Sequence, residues 1–275
     1  MNESRAIDVI QLGARMHYAV PVFFHEKHLL GQLFTDIWIP NSGISSFINK
    51  IPISSIKKLS NRFRSEIPSD LVTSFFSLGL SYSEALRKNR HNRELETGVF
   101  LEYSRSFQQK VMQSGSLNSS YIYAFNTVAK DIFSHSESKS KTKILEQTLI
   151  PRKTEFDLLQ SEFSFYGIDY QKGEKSLAYE QLELDENQLA DIILCGSNFV
   201  KQSLIDLKGE SDIYGNTLKS TEIAIADELS AAAGILMGQG DDGQPVIIIK
   251  GFNRDQYSKN DAFNLIVNEE DDLYR

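Results

Sequence analysis

The chain has 275 residues, 41% hydrophobic and 24% charged, a soluble globular composition that excludes disordered, collagen-like and disulfide-scaffold classes. A net charge of −8 argues against nucleic acid or an anionic membrane as the main partner, and the lone Cys195 removes internal disulfides and cysteine-based zinc clusters. No apolar run is long enough for a membrane span and the first residues lack a signal-peptide shape, so a cytosolic location is expected.

Residues 7–12 are a short apolar run closed by Gly13, and apolar residues then recur with helical spacing over 18–33, so the chain opens as a strand, glycine turn and helix. Residues 35–39 read as a second strand stopped by Pro40. Between 41 and 68 come Ser, Asn and Pro with Lys50, Lys57, Lys58, Arg62 and Arg64, which predicts an exposed connection with some helix. The pattern over 69–116 is helical, strands are expected at 120–125 and 141–147, and Pro151 stands where a helix can begin. A polar segment, 169–188, gives way to a buried-type strand at 191–195 and to Ser197, a fitting N-cap for a helix over 198–207. Strands alternating with helices predict an α/β fold with a Rossmann-like, mostly parallel sheet. The strands at 7–12 and 191–195 are expected to be neighbours or one strand apart.

The last quarter has another character. Residues 207–275 hold 6 Lys/Arg against 13 Asp/Glu, so nearly all the excess negative charge lies there and a boundary is expected near residue 207. This small α+β segment reads as a β-rich run at 217–226, an alanine-rich helix at 227–237 closed by Gly238, a turn at 239–243, a strand at 245–252 and a helix at 261–267. Alone it would bury too little surface to fold with confidence.

Several constellations bear on chemistry. Gly13, Ala14 and Arg15 follow the first strand, where backbone N–H groups can approach a phosphate; taken alone, an ordinary βα turn fits better, since the three-glycine dinucleotide spacing is missing. His25 and His28 would share a helix face as a metal pair or as plain surface residues, and no third ligand accompanies them. Asp227 and Glu228 open the alanine-rich helix, where acids also oppose the positive end of its dipole.

Two resemblances follow from longer stretches. Leu12-Gly13-Ala14-Arg15-Met16-His17-Tyr18-Ala19-Val20-Pro21, then Phe34-Thr35-Asp36, and late Asp191-Ile192-Ile193-Leu194-Cys195-Gly196-Ser197 resemble the N-terminal domain of a family 4-type glycosyltransferase of the GT-B fold. The likeness covers about 5–206. It implies half of a GT-B architecture, an acceptor side for sugar transfer from a nucleotide-sugar, and substrate or phosphate binding by Gly13, Ala14 and Arg15. The family's donor-binding domain has no counterpart in the sequence that follows, so robust transfer by this chain alone is not expected.

Residues 208–275 instead resemble the C-terminal part of the gamma-glutamyl ligase that adds glutamate to the deazaflavin coenzyme F420. The carriers are Gly209-Glu210-Ser211-Asp212-Ile213-Tyr214-Gly215-Asn216, Ala226-Asp227-Glu228-Leu229 and Gln244-Pro245-Val246-Ile247-Ile248-Ile249-Lys250. That resemblance implies GTP with Mg²⁺ or Mn²⁺, and metal ligation by Asp227 and Glu228, with Asp212 at a further acidic position; carboxylate oxygens suit both ions. The family's N-terminal half, with its nucleotide-binding residues, has no counterpart in 1–206. The expected partners are small molecules, a nucleotide and an acceptor, and a catalytically incomplete fusion of the two families fits the sequence as well.

Overall fold

The computed structural model describes residues 7–39, 62, 64–213, 222–225, 235–239 and 245–249. Seven parallel strands form one sheet in the order β3-β2-β1-β4-β5-β6-β7. They are β1 (Ile7–Ile10), β2 (Leu30–Thr35), β3 (Val72–Ser74), β4 (Tyr121–Phe125), β5 (Thr142–Gln147), β6 (Ile192–Cys195) and β7 (Glu222–Ile225). The connecting helices are α1 (Ala19–Glu26), α2 (Phe76–Lys88), α3 (Arg93–Gln113), α4 (Lys130–Ser134), α5 (Arg152–Phe165), α6 (Glu174–Leu189) and α7 (Asn198–Ile213). A strand order that runs outward from β1 in both directions is the doubly wound, Rossmann-like arrangement, and it puts the topological switch between β1 and β4.

Side chains that alternate along the strands feed two separate cores, one on each face. Tyr123, Phe125, Ile144 and Leu194 pack with Val20 and Phe24 of α1. Ile122, Ala124, Leu145, Ile193 and Cys195 pack with Phe107 and Val111 of α3 and with Leu204 of α7. A strand covered on both faces carries apolar residues in succession, which is why 120–125, 141–147 and 191–195 are legible as strands. Each fully buried side chain of this kind contributes about 1.5–3 kcal/mol.

Elsewhere the structure corrects the local reading. The helix expected over 18–33 stops at Glu26; His28 turns the chain with φ 58, and Leu30, Leu33 and Phe34 lie in β2. Their spacing of three and four mimics a helix, but pairing with β1 (Val9 with Leu33, Ile10 with Phe34) outweighs it. The strand expected at 35–39 ends at Thr35, with Ile37 and Trp38 buried beyond its end. Within 69–116, residues 72–74 leave the helical pattern to pair with β2. The polar segment 169–188 contains α6, whose inward face carries Glu183, Glu186 and Asn187. Strands β1 and β6 are two strands apart, because β4 and β5 both insert between them.

In the last quarter, α7 continues through residue 207 to Ile213, and β7 joins the large sheet by pairing with β6 (Ile193 with Ile223, Cys195 with Ile225). Residues 235–237, expected at the end of a helix, belong to β8 (Ile235–Gln239), which pairs antiparallel with β9 (Pro245–Ile249). A run of apolar residues reads as helix or strand by periodicity alone, and here a cross-strand partner decides. The helix expected at 261–267 lies outside the described residues.

Candidate functional site

At the carboxyl end of β1 the glycine turn already holds an anion, the chain's own Asp36. Gly13, at φ +75, donates its N–H to Asp36 Oδ1 at 3.0 Å. The same oxygen accepts from Arg62 Nη1 at 3.0 Å, and Oδ2 accepts from the Tyr103 hydroxyl at 2.7 Å. Burial, reinforced by the Asp36 charge, drives the Tyr103 phenol far above its usual range. The backbone group expected to meet a phosphate is therefore engaged inside the protein, and Ala14 packs partly buried against the core.

Arg15 takes a different course. It is followed by three left-handed residues, Met16, His17 and Tyr18, at φ 47, 50 and 62. A left-handed non-glycine residue costs about 1–2 kcal/mol, so the turn persists only because its surroundings hold it. The Tyr18 ring is fully buried edge-on to Trp38, its hydroxyl donates to the Ile37 carbonyl at 3.2 Å, and Arg64 Nε donates to the His17 carbonyl at 2.6 Å. Arg15 is thereby delivered to a cleft of about 460 Å³ at the carboxyl ends of β1, β4 and β5, walled by α2, α3, α5 and α6.

Three strands meet at its floor. Arg15 Nη1 donates to Thr148 Oγ1 at 3.2 Å, and Thr148 donates to Asn126 Oδ1 at 3.0 Å. Four cations line the cleft, and three have carboxylate partners: Arg93 and Arg152 with Glu155, and Lys172 with Glu180 at 2.5 Å. Arg15 has no carboxylate within ion-pair distance among the described residues. Its guanidinium lies 5.8 Å from the centre of the Phe125 ring, and burial pulls its pKa below the usual value.

Behind the floor are three buried carboxyls. Glu186 accepts from the backbone N–H groups of Thr127 at 2.6 Å and Ala129 at 2.7 Å, and burial raises its pKa to about 8. Glu183 accepts from the Arg152 N–H at 2.7 Å, and Glu146 accepts from the Tyr123 hydroxyl; burial raises each to about 7. Glu146 and Glu186 lie beyond ion-pair distance of Arg15, and their charges act against the effect of burial on its guanidinium.

The remaining sequence candidates do not join this site. Asp227 and Glu228 lie outside the described residues, and Asp212 is placed only as a position on α7. Among the described residues no three of His, Cys, Asp and Glu gather as a metal-holding group. His25 closes α1 while His28 stands in the left-handed turn beyond it, so the shared helix face does not form. Ser197 caps α7, with its Oγ accepting from Val200 N at 3.3 Å, and burial lifts the Cys195 thiol to about 12. Sequence reasoning missed Arg152, Tyr179, Glu183 and Glu186. Their one local signal is the three-to-four spacing of Tyr179, Glu183 and Glu186, which puts two acids on a single helix face.

Comparison with known proteins finds two kinds of similarity. Residues 164–251 match the family described as F420-0:Gamma-glutamyl ligase. The coenzyme F420:L-glutamate ligase of Methanocaldococcus jannaschii is 45% identical over 73 residues, 26% of this chain and 29% of that protein. That of Methanothermobacter thermautotrophicus is 55% identical over 47 residues, 17% of this chain and 19% of that protein. The chain thus spans less than a third of the length of these relatives. Among solved structures, TcCGT1 in complex with UDP superposes with a TM-score of 0.46 at 11% identity, covering 82% of this chain and 51% of that one. Medicago truncatula UGT71G1 complexed with UDP-glucose does so with a TM-score of 0.39 at 9% identity, covering 83% and 53%. The chain therefore carries a segment similar to the ligase family at its C-terminal side, within and beyond a doubly wound α/β sheet.

Proposed function

We propose that this chain acts in amide-bond formation, joining L-glutamate to coenzyme F420 or a close chemical relative, with GTP and Mg²⁺ or Mn²⁺ as co-reactants. The similarity of residues 164–251 to the ligase family carries this reading, and the matched span contains Asp212, Asp227 and Glu228. The described residues offer no metal-holding group of their own, so a metal role rests on those acids. The test incubates the purified full chain with coenzyme F420-0, L-glutamate, GTP and Mn²⁺ and follows the mass of the coenzyme. Gain of one glutamyl unit, lost in Asp227→Ala plus Glu228→Ala, is expected; an unchanged coenzyme overturns the reading.

A second reading, glycosyl transfer from a nucleotide-sugar to a small acceptor, would use the cleft. The cleft lies at the carboxyl edge of β1, β4 and β5, beside the topological switch where doubly wound sheets receive small molecules, and Arg15 lines it. Turnover of a nucleotide-sugar by the purified protein, abolished by Arg15→Ala, would establish this activity in place of the first.

A further inference from the structure

The cleft has a chemical character more specific than either activity. Five aromatic side chains line it: Tyr82, Phe100, Phe156, Tyr170 and Tyr179. Some of their faces are already occupied. Tyr82 stacks on Tyr103 with ring centres 3.9 Å apart, and Phe100 stacks on Tyr179 at 5.6 Å. The Arg152 guanidinium lies 4.5 Å from the centre of the Tyr179 ring, and the Lys172 ammonium 4.3 Å from that of Phe156. The walls thus carry flat aromatic faces interleaved with charged groups, and part of each stacked ring remains toward the cleft it lines. At the floor stands Arg15, half-buried, with one hydrogen bond to Thr148 and its other guanidinium N–H groups without an acceptor among the described residues.

A second observation points to the same edge of the sheet. Three buried polar atoms there have no hydrogen-bond partner among the described residues: Gln11 Oε1 just past β1, Thr127 Oγ1 past β4 and Gln147 Oε1 at the end of β5. Native interiors carry few such atoms, so those at this edge call for a partner that the described residues do not supply. The strained turn after Arg15 lies at the same edge, and backbone strain survives where it positions a functional group.

We propose that this cleft binds a planar aromatic molecule carrying one oxyanion, a phosphate or a carboxylate, with the ring between the aromatic walls and the oxyanion on Arg15. This assignment rests on the cleft alone and on neither activity proposed above. Arg15 is the lining cation with no carboxylate partner among the described residues, and a guanidinium holds either oxyanion through paired, charge-assisted hydrogen bonds. A volume of about 460 Å³ is within the range of small-molecule sites and admits two fused rings with a short substituent.

The test is a calorimetric titration of the full chain with three ligands sharing one ring system: 2-naphthyl phosphate, 2-naphthoate and the uncharged 2-naphthol. A hydrogen bond to a charged group is worth about 1.5–3 kcal/mol, so at least one anion should bind roughly tenfold to a hundredfold more tightly than the alcohol. The tighter of the two anions identifies the group the site accepts. Arg15→Gln, with its fold checked by circular dichroism, should erase the preference and leave 2-naphthol binding unchanged. Phe100→Leu should weaken all three ligands alike and keep the preference, which tests the ring slot independently of Arg15. Equal affinity for the three ligands, no binding of any, or a preference that survives in Arg15→Gln would overturn the proposal.

Discussion

Glu186→Gln isolates one buried carboxyl and its consequence for pH. Glu186 is fully buried on α6 and gathers the N–H groups of Thr127, Ala129 and Lys130, the last at 3.2 Å, so it holds the turn between β4 and α4, where Thr127 takes φ 80. Burial raises its folded-state pKa to about 8, whereas in an unfolded chain a glutamate titrates near about 4.3. The folded protein therefore binds more protons than the unfolded chain between those values, and its stability falls as pH rises from 5 to 8. One such group contributes a slope of at most about 1.4 kcal/mol per pH unit. Glu146 and Glu183, each raised to about 7, act in the same direction up to that pH. A glutamine keeps an oxygen for two of the three N–H groups but turns its own N–H₂ toward the other, so the variant should be about 1–3 kcal/mol less stable at pH 5. Because it no longer titrates while the wild type loses about 3–4 kcal/mol from this group between pH 5 and 8, the gap should close within that range and reverse by pH 8. Urea unfolding followed by circular dichroism at pH 5, 6, 7 and 8 reads both quantities. Wild-type stability that is flat or rising over this range, or a gap that stays constant with pH, would refute the argument.

Two further outcomes follow from close packing and from the anion at the glycine turn. A methyl group added at Gly31 would sit 2.0 Å from Ser119 Oγ and 2.6 Å from Asp8 Oδ1, so Gly31→Ala should displace the Asp8–Ser119 pair (2.7 Å) and cost about 1–3 kcal/mol in chemical denaturation. Asp36→Asn should lose a comparable amount, because Gly13, Arg62 and Tyr103 all donate to that carboxylate, while 2-naphthoate affinity stays at the wild-type value since Asp36 is not among the cleft-lining residues. A drop in that affinity would show that the glycine turn and the cleft act as one unit.

The α/β class was legible in the sequence because it depends on local patterns that the sheet then uses directly. The apolar runs at 120–125, 141–147 and 191–195 are bounded by polar or turn residues, and both faces of their strands are covered, so local composition and final environment agree. Ser197 is recognisable as a cap because its partner, Val200 N, lies only three residues away. The resemblance of the last quarter to the ligase family was likewise carried by contiguous residues, and the match over 164–251 rests on the same kind of signal.

Tertiary structure decided whatever depended on a distant partner. Leu30, Leu33 and Phe34 have helical spacing, and only pairing with β1 made them a strand. Gly13 offered an N–H to any anion, and the fold supplied Asp36 from 23 residues away. Arg15, Asn126 and Thr148 are more than a hundred positions apart at the extremes, yet they meet because parallel strands all end at the same edge of a sheet. The acids of α6 read only as part of a polar segment, since a one-dimensional pattern shows that two acids share a helix face but not what faces them. Here that face meets the β4–α4 turn and the start of α5, whose backbone N–H groups need acceptors, and that demand is what draws Glu183 and Glu186 into the interior.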